Sequence, residues 1–292
     1  MKPRDVADLI TLGALWGGAF PLQKVAVAAF GPFALVAVRV SVGAAVLLLL
    51  LRDYRALRAN SGKLLLLGML NTAIPFSLFS FSTLYITAGL ASLLNATTPM
   101  FGAAIAWVWL GERLSWSRLL GIVIGFVGIA SIVWDKVAVH AGGAMRGVLA
   151  GLLAAALYGL AACYTKRHLA TLDSKVNAAG SVLGATLVMV PLGAAQWPTM
   201  PVPLIAWACA VALGMLCTAL AYIIYFRLMP RIGAARSVTV TFLIPVFGIF
   251  WGAIFLHEPV TPTLLLGCAV VLFGTALATG VIGPRRAPAV IA

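Results

Sequence analysis

Ten apolar runs follow one another along this chain, at about 9–30, 33–51, 64–85, 88–111, 117–134, 147–168, 175–195, 203–226, 234–256 and 262–280, with short segments between them. Each is near the length that an α-helix needs to cross a hydrocarbon core of roughly 30 Å. Transmembrane strands would be about half as long and would alternate with period two, which these runs do not do. A chain that is 63% hydrophobic and 9% charged also has too little polar surface for a soluble globule. The expected fold is an all-α integral membrane protein with ten transmembrane helices.

The runs fall into two sets of five, because one motif is written twice. Pro99 to Glu112 reads P-M-F-G-A-A-I-A-W-V-W-L-G-E, and Pro245 to Glu258 reads P-V-F-G-I-F-W-G-A-I-F-L-H-E, 146 residues later. The match continues from Leu119-Leu120-Gly121 onto Leu265-Leu266-Gly267. Near the start, Ala14-Leu15-Trp16-Gly17 returns as Ala156-Leu157-Tyr158-Gly159, and Lys24 matches Lys166. That return assigns the first run to the repeated fold and not to a secretory signal, although Lys2 and Arg4 precede it and Ala26-Val27-Ala28 follows.

Five spans are an odd number, so the second set enters the membrane from the opposite side and the repeat is inverted. We expect a first five-helix unit over 1–134, a linker over 135–145 and a second unit with a short tail over 146–292. Positively charged loops resist export. With the N-terminus inside, 16 of the 20 Lys and Arg residues lie on the cytoplasmic side, three (Lys24, Lys136, Arg146) lie outside, and Arg39 lies within a span. Both termini are expected in the cytoplasm. The net charge of +13 is spread between apolar runs and not along one soluble face, so anionic lipid headgroups and not nucleic acid are its expected partner.

A five-helix unit with proline and glutamate bracketing its fourth helix, duplicated and inverted, resembles the EamA branch of the drug/metabolite transporter superfamily. The resemblance rests on the two Pro-to-Glu stretches, on Leu15-Trp16-Gly17 and on Arg39 in the second span. It implies a bacterial inner-membrane exporter working by alternating access, similar to the YddG-type amino-acid exporters. Other members move nucleotide sugars, sugar phosphates, purines or toxic cations. The second half departs from the first where His257 replaces Gly111 and no arginine matches Arg39.

Several residues are candidates for the transport site. Proline within a helix removes one donor, so Pro99 should free the carbonyl of Asn95 and Pro245 that of Thr241. The polar groups there, Asn95, Thr98, Thr239 and Thr241, either repair the kinks or face substrate. Trp16 and its match Tyr158 lie deep in their spans and, with Phe20, Phe76, Phe79 and Tyr222, form either an aromatic pocket or ordinary core. Arg39, about two turns from the outer face, either lines a cavity or snorkels to headgroups. Glu112 and Glu258 stand at helix ends, where a carboxylate opposes the helix dipole unless partnered. We read them as structural latches, and Lys24 and Lys166 as snorkelling lysines.

Together these features point to export of small amphipathic metabolites, amino acids including aromatic ones first among them. An intramembrane enzyme is the rival, but it needs a nucleophile–base pair or a metal cluster at membrane depth, and no His, Asp or Glu lies deep in a span. No cofactor and no metal are expected, and the protein is expected to act as a monomer. The same absence leaves no site for proton exchange, so transport down the substrate's own gradient is expected.

Overall fold

The computed structural model describes residues 1–139, 143–233 and 239–282. His140 and Gly142 of the expected linker, together with Arg236, Arg285 and Arg286, lie outside these residues, as do the side chains of Asp135 and Lys136. The described chain is helical, in the order α1 (Pro3–Leu50), a short α2 (Tyr54–Ala59), α3 (Ser61–Tyr85), α4 (Ala88–Leu110), α5 (Trp116–Val139), α6 (Ala144–His168), α7 (Ser174–Ala195), α8 (Leu204–Ile232), α9 (Val240–Leu256) and α10 (Pro262–Thr279). Eight of these are long and apolar enough to cross a membrane, and α9 is a shorter apolar helix. Leu49, Val108, Leu204 and Leu266 stand exposed on the outside of the bundle, the reverse of a soluble protein's surface.

The first two expected spans are joined in α1. Its 48 residues would reach about 72 Å if straight, more than twice a bilayer core. The run is broken at Gly31, whose φ of 71° and ψ of 168° fall in a region open almost only to glycine, and Pro32 follows. The two arms on either side match the spans expected over 9–30 and 33–51.

The fourth expected span is also divided. α4 is interrupted at Ala96 and Thr97, whose N–H groups bond to Leu93 and Leu94 three residues back. Pro99 therefore stands in the first turn of a new helical segment, where a missing N–H costs nothing. This corrects the expectation of a kink within one helix; the helix ends at Asn95 and restarts at Thr98. Pro245 does lie inside α9.

Glycines set the closest helix crossings. A Cβ on Gly17 would come within 2.6 Å of Phe247 Cβ and 2.9 Å of Gly248 N, so α1 lies against the α9 backbone. A Cβ on Gly159 would fall 2.6 Å from Gly102 N, so α6 meets α4 in the same way. Gly121 on α5 and Gly274 on α10 form a third such contact. Close backbone approach through small residues is how helices associate where lipid removes the hydrophobic drive.

Candidate functional site

A cavity of about 680 Å³ lies within the bundle, walled by α1, α3, α4, α6, α7, α8 and α9. Trp16, Phe20, Arg39, Phe76, Phe79, Asn95, Thr98, Tyr158, Tyr222 and Thr241 all line it. Thr239, at the N-cap position of α9, stands outside the lining. Residues from spans far apart in sequence thus share one chamber.

Its walls are largely aromatic. Phe20 meets Phe79 edge-on with centroids 5.4 Å apart, and Phe79 stacks near Tyr158 at 6.0 Å. Trp16 packs instead against Tyr222 at 6.5 Å and Tyr225 at 5.7 Å. Trp16 and Tyr158 therefore head two separate ring clusters in the same cavity. Offset and edge-on pairs of this kind are the favoured aromatic geometries. Trp251 donates from Nε1 to the carbonyl of Ala14 at 3.2 Å and ties α9 to α1.

Arg39 is buried and does not snorkel to the surface. Its Nε donates to Thr218 Oγ1 and its Nη1 to Gln23 Oε1, each at 3.1 Å. Phe76 covers one face of the guanidinium, with its centroid 3.6 Å from Cζ, a cation–π contact between two buried groups. Thr218 belongs to a π-helical turn in α8, Met215–Leu220, and a second such turn occurs in α3, Met69–Ala73, starting 146 residues earlier. Single π-turns often mark functional sites because they re-aim side chains. In the α3 turn, Thr72 Oγ1 pairs with Ser181 Oγ at 3.0 Å, so a neutral hydroxyl pair occupies the place that Thr218 and Arg39 take in the other half.

The two glutamates lie at opposite ends of the cavity region. Glu258 accepts from the N–H groups of Ala88 and Gly89 at 2.8 and 3.1 Å, at the start of α4, and faces Lys24 Nζ at 3.3 Å. Lys24 also donates to the Ile86 carbonyl at 2.8 Å. Glu112 pairs with Lys166 at 2.6 Å. Both lysines therefore pair with carboxylates, Lys166 with its side chain 67% exposed to water and Lys24 with 33%. The cavity lining extends to the α6–α7 connection, through Lys166, Leu169, Ala170, Leu172 and Ser174. At the Glu258 end its lining among the described residues stops at Gln23.

Sequence reasoning missed Gln23, Asn71, Thr218 and Tyr225. A usable signal was present, since Met69-Leu70-Asn71-Thr72-Ala73 and Met215-Leu216-Cys217-Thr218-Ala219 repeat at the spacing of the Pro-to-Glu motif. Gln23 and Asn71 are amides inside apolar runs, which are costly in hydrocarbon without a partner.

Comparison with known proteins gives the chain a family. The model of the EamA-like transporter family matches it twice, over residues 7–134 and 145–280. It is 27% identical to the uncharacterized transporter YvbV of Bacillus subtilis, across 93% of this chain and 90% of that one. It is likewise 27% identical to a probable terminal-alkyne amino-acid exporter of Streptantibioticus cattleyicolor, across 94% and 93%. A crystal structure of 20% identity superposes with a TM-score of 0.67, covering 96% of this chain and 98% of that protein, which shows the fold. With both halves matched and the relatives spanned nearly end to end, the chain belongs to the EamA-like transporter family and is a transporter, not an enzyme.

Proposed function

We propose that this protein exports small amphipathic metabolites, amino acids including aromatic ones first among them, by alternating access across the cell inner membrane. Two inverted five-helix units, 1–134 and 146–292, rock about the central cavity, with both termini in the cytoplasm and the protein acting as a monomer. The observation that carries this reading is the cavity itself, which joins a buried guanidinium to two clusters of aromatic rings and, among the described residues, reaches a connection between helices at the Lys166 end of the bundle. Inversion is supported by the paired features of the two halves, namely the π-turns and the Pro-to-Glu motifs 146 residues apart and the glycine crossings of α1 on α9 and α6 on α4. One relative is named a probable amino-acid exporter, in keeping with this substrate class.

Among the other classes of cargo, toxic cations are disfavoured. The lining carries Arg39 and Lys166 and, among the described residues, no Asp or Glu that would pair with a cation. Among the described residues no acid or histidine lines the chamber to exchange protons, in keeping with a substrate that moves down its own gradient.

Flux of an amino-acid panel into reconstituted vesicles tests the reading. Trp16→Ala and Tyr158→Ala should each lower flux of an aromatic substrate by about 2- to 10-fold, the weight of one aromatic pair at about 0.5–1.5 kcal/mol, with protein levels unchanged. Unchanged flux in both variants would return these rings to ordinary packing. Orientation is tested by outside labelling of introduced cysteines. One near Gly142 should react and one near Arg55 should not; the reverse pattern would overturn the assignment.

A further inference from the structure

Arg39 is a buried cation to which the described residues offer no carboxylate. Its two hydrogen-bond acceptors, Thr218 Oγ1 and Gln23 Oε1, are neutral, and they take two of its five N–H groups. Phe76 closes one face of the guanidinium. A guanidinium only donates, so the amide oxygen of Gln23 must turn toward it, and the Nε2 donors of Gln23 must turn away. Nε2 is buried and has no partner in the structure. Arg39 and Gln23, 5% and 3% exposed, both line the cavity. Together they make a patch of donors that carries a positive charge.

A charge this well removed from water needs an anion beside it, because unpaired burial is costly. The aromatic rings of the same chamber give an apolar body somewhere to lie. The lining offers nothing of opposite charge to an ammonium group, since it holds no Asp or Glu among the described residues. An anionic head therefore has a dedicated place here, and a cationic head has none.

We propose that the Arg39–Gln23 patch binds the carboxylate of the transported molecule, and that the amino group is not recognised by charge. The inference rests on the transport reading above and deepens it. The carried class is then apolar and aromatic carboxylates in general, including hydroxy, keto and N-acyl acids beside amino acids, while amines lacking a carboxylate are rejected. Chloride is the other anion that could satisfy the same donors, and the test separates the two.

The experiment uses the purified full chain in chloride-free and chloride buffers, with binding read by thermal shift and by tryptophan fluorescence. Four ligands share one phenyl ring: phenylalanine, phenyllactate, phenylalaninamide and phenethylamine. Phenyllactate should bind within about threefold of phenylalanine, and the two compounds lacking a carboxylate at least about tenfold more weakly, because a bidentate charged contact is lost. Arg39→Gln should erase this preference, and Arg39→Lys, which keeps the charge but loses the fork, should restore part of it. The wild-type comparison stands even if the Arg39→Gln protein fails to fold.

Equal binding of phenethylamine and phenyllactate would overturn the carboxylate subsite while leaving transport intact, as would a preference that survives Arg39→Gln. Stabilisation by chloride with none by the carboxylates would overturn it in favour of an inorganic anion. No binding and no vesicle flux with any of the four would sink the transport reading and this proposal with it.

Discussion

Two ion pairs of the same residue types stand at opposite ends of the bundle and differ in nearly everything else. Lys24–Glu258 is set among backbone: Glu258 is 11% exposed and accepts from two N–H groups at the start of α4, while Lys24 donates to the Ile86 carbonyl. Lys166–Glu112 is shorter at 2.6 Å, yet its side chains are 67% and 38% exposed beside the cavity's extension to the α6–α7 connection. The lysines and the glutamates occupy matching places in the two halves of the sequence. The shorter distance therefore does not mark the stronger clasp. A carboxylate at a helix N-terminus gains charge-assisted bonds from groups that otherwise lack partners, whereas an exposed pair is offset by water and by side-chain entropy.

What differs is the element facing each glutamate. Glu258 meets the first turn of α4, which Thr87 also caps through Leu90 N at 3.2 Å. The place matching that turn in the second half falls at 234–238, outside the described residues. We read the Glu258 end as the closed gate and the Lys166 end as the open one, which in the proposed orientation makes this an inward-facing state.

The largest expected effect comes from breaking the tighter clasp. Glu258→Gln should cost about 3 kcal/mol, since it leaves Lys24 without its charge partner in a mostly buried setting. Glu112→Gln should cost less than about 1 kcal/mol. Thermal unfolding of the two variants in the same detergent checks this, and equal losses would dissolve the distinction between the ends.

A smaller effect is expected where the halves should behave alike. Gly17→Ala and Gly159→Ala each drive a Cβ to 2.6 Å from atoms of the facing helix, so both should destabilise, by about 1–3 kcal/mol. Calorimetry of the pair would sharpen the comparison, because a tolerated Gly159→Ala would mean that the α6–α4 crossing is the looser one. The smallest effect concerns the turns after the motifs. Gly111 and His257 both adopt the left-handed conformation, with φ of 68° and 52°, and histidine is strained there. His257→Gly should therefore stabilise by about 1 kcal/mol, and Gly111→His should destabilise by a similar amount; a melting-temperature shift of the wrong sign in either would show that His257 makes a compensating contact.

The helical membrane fold was legible because twenty-residue apolar runs have few other uses, and Gly31-Pro32 fell between two of them. The cavity was legible in part. Trp16, Tyr158 and Arg39 were out of place for their depth, and that alone drew attention to them. Their partners were not legible: Arg39 meets Thr218, and Lys24 meets Glu258, across separations of 179 and 234 residues. Hydropathy reports whether a residue belongs in the membrane and is blind to which helix it faces. Nor did the shared residue types reveal that the two glutamates differ, since the difference lies in the backbone that each one meets.

The central claim is that one chamber is presented alternately at two ends, with the Lys24–Glu258 clasp closing one of them. Pulsed electron-spin distances test it most directly, from one label pair spanning the Glu258 end, at Thr87 and Pro259, and another spanning the Glu112 end, at Arg113 and Leu172. The account predicts reciprocal change: Glu258→Gln, or a substrate that drives the transition, lengthens the first distance and shortens the second. Two ends that open together, or a Glu258→Gln protein in which neither distance moves, would contradict it.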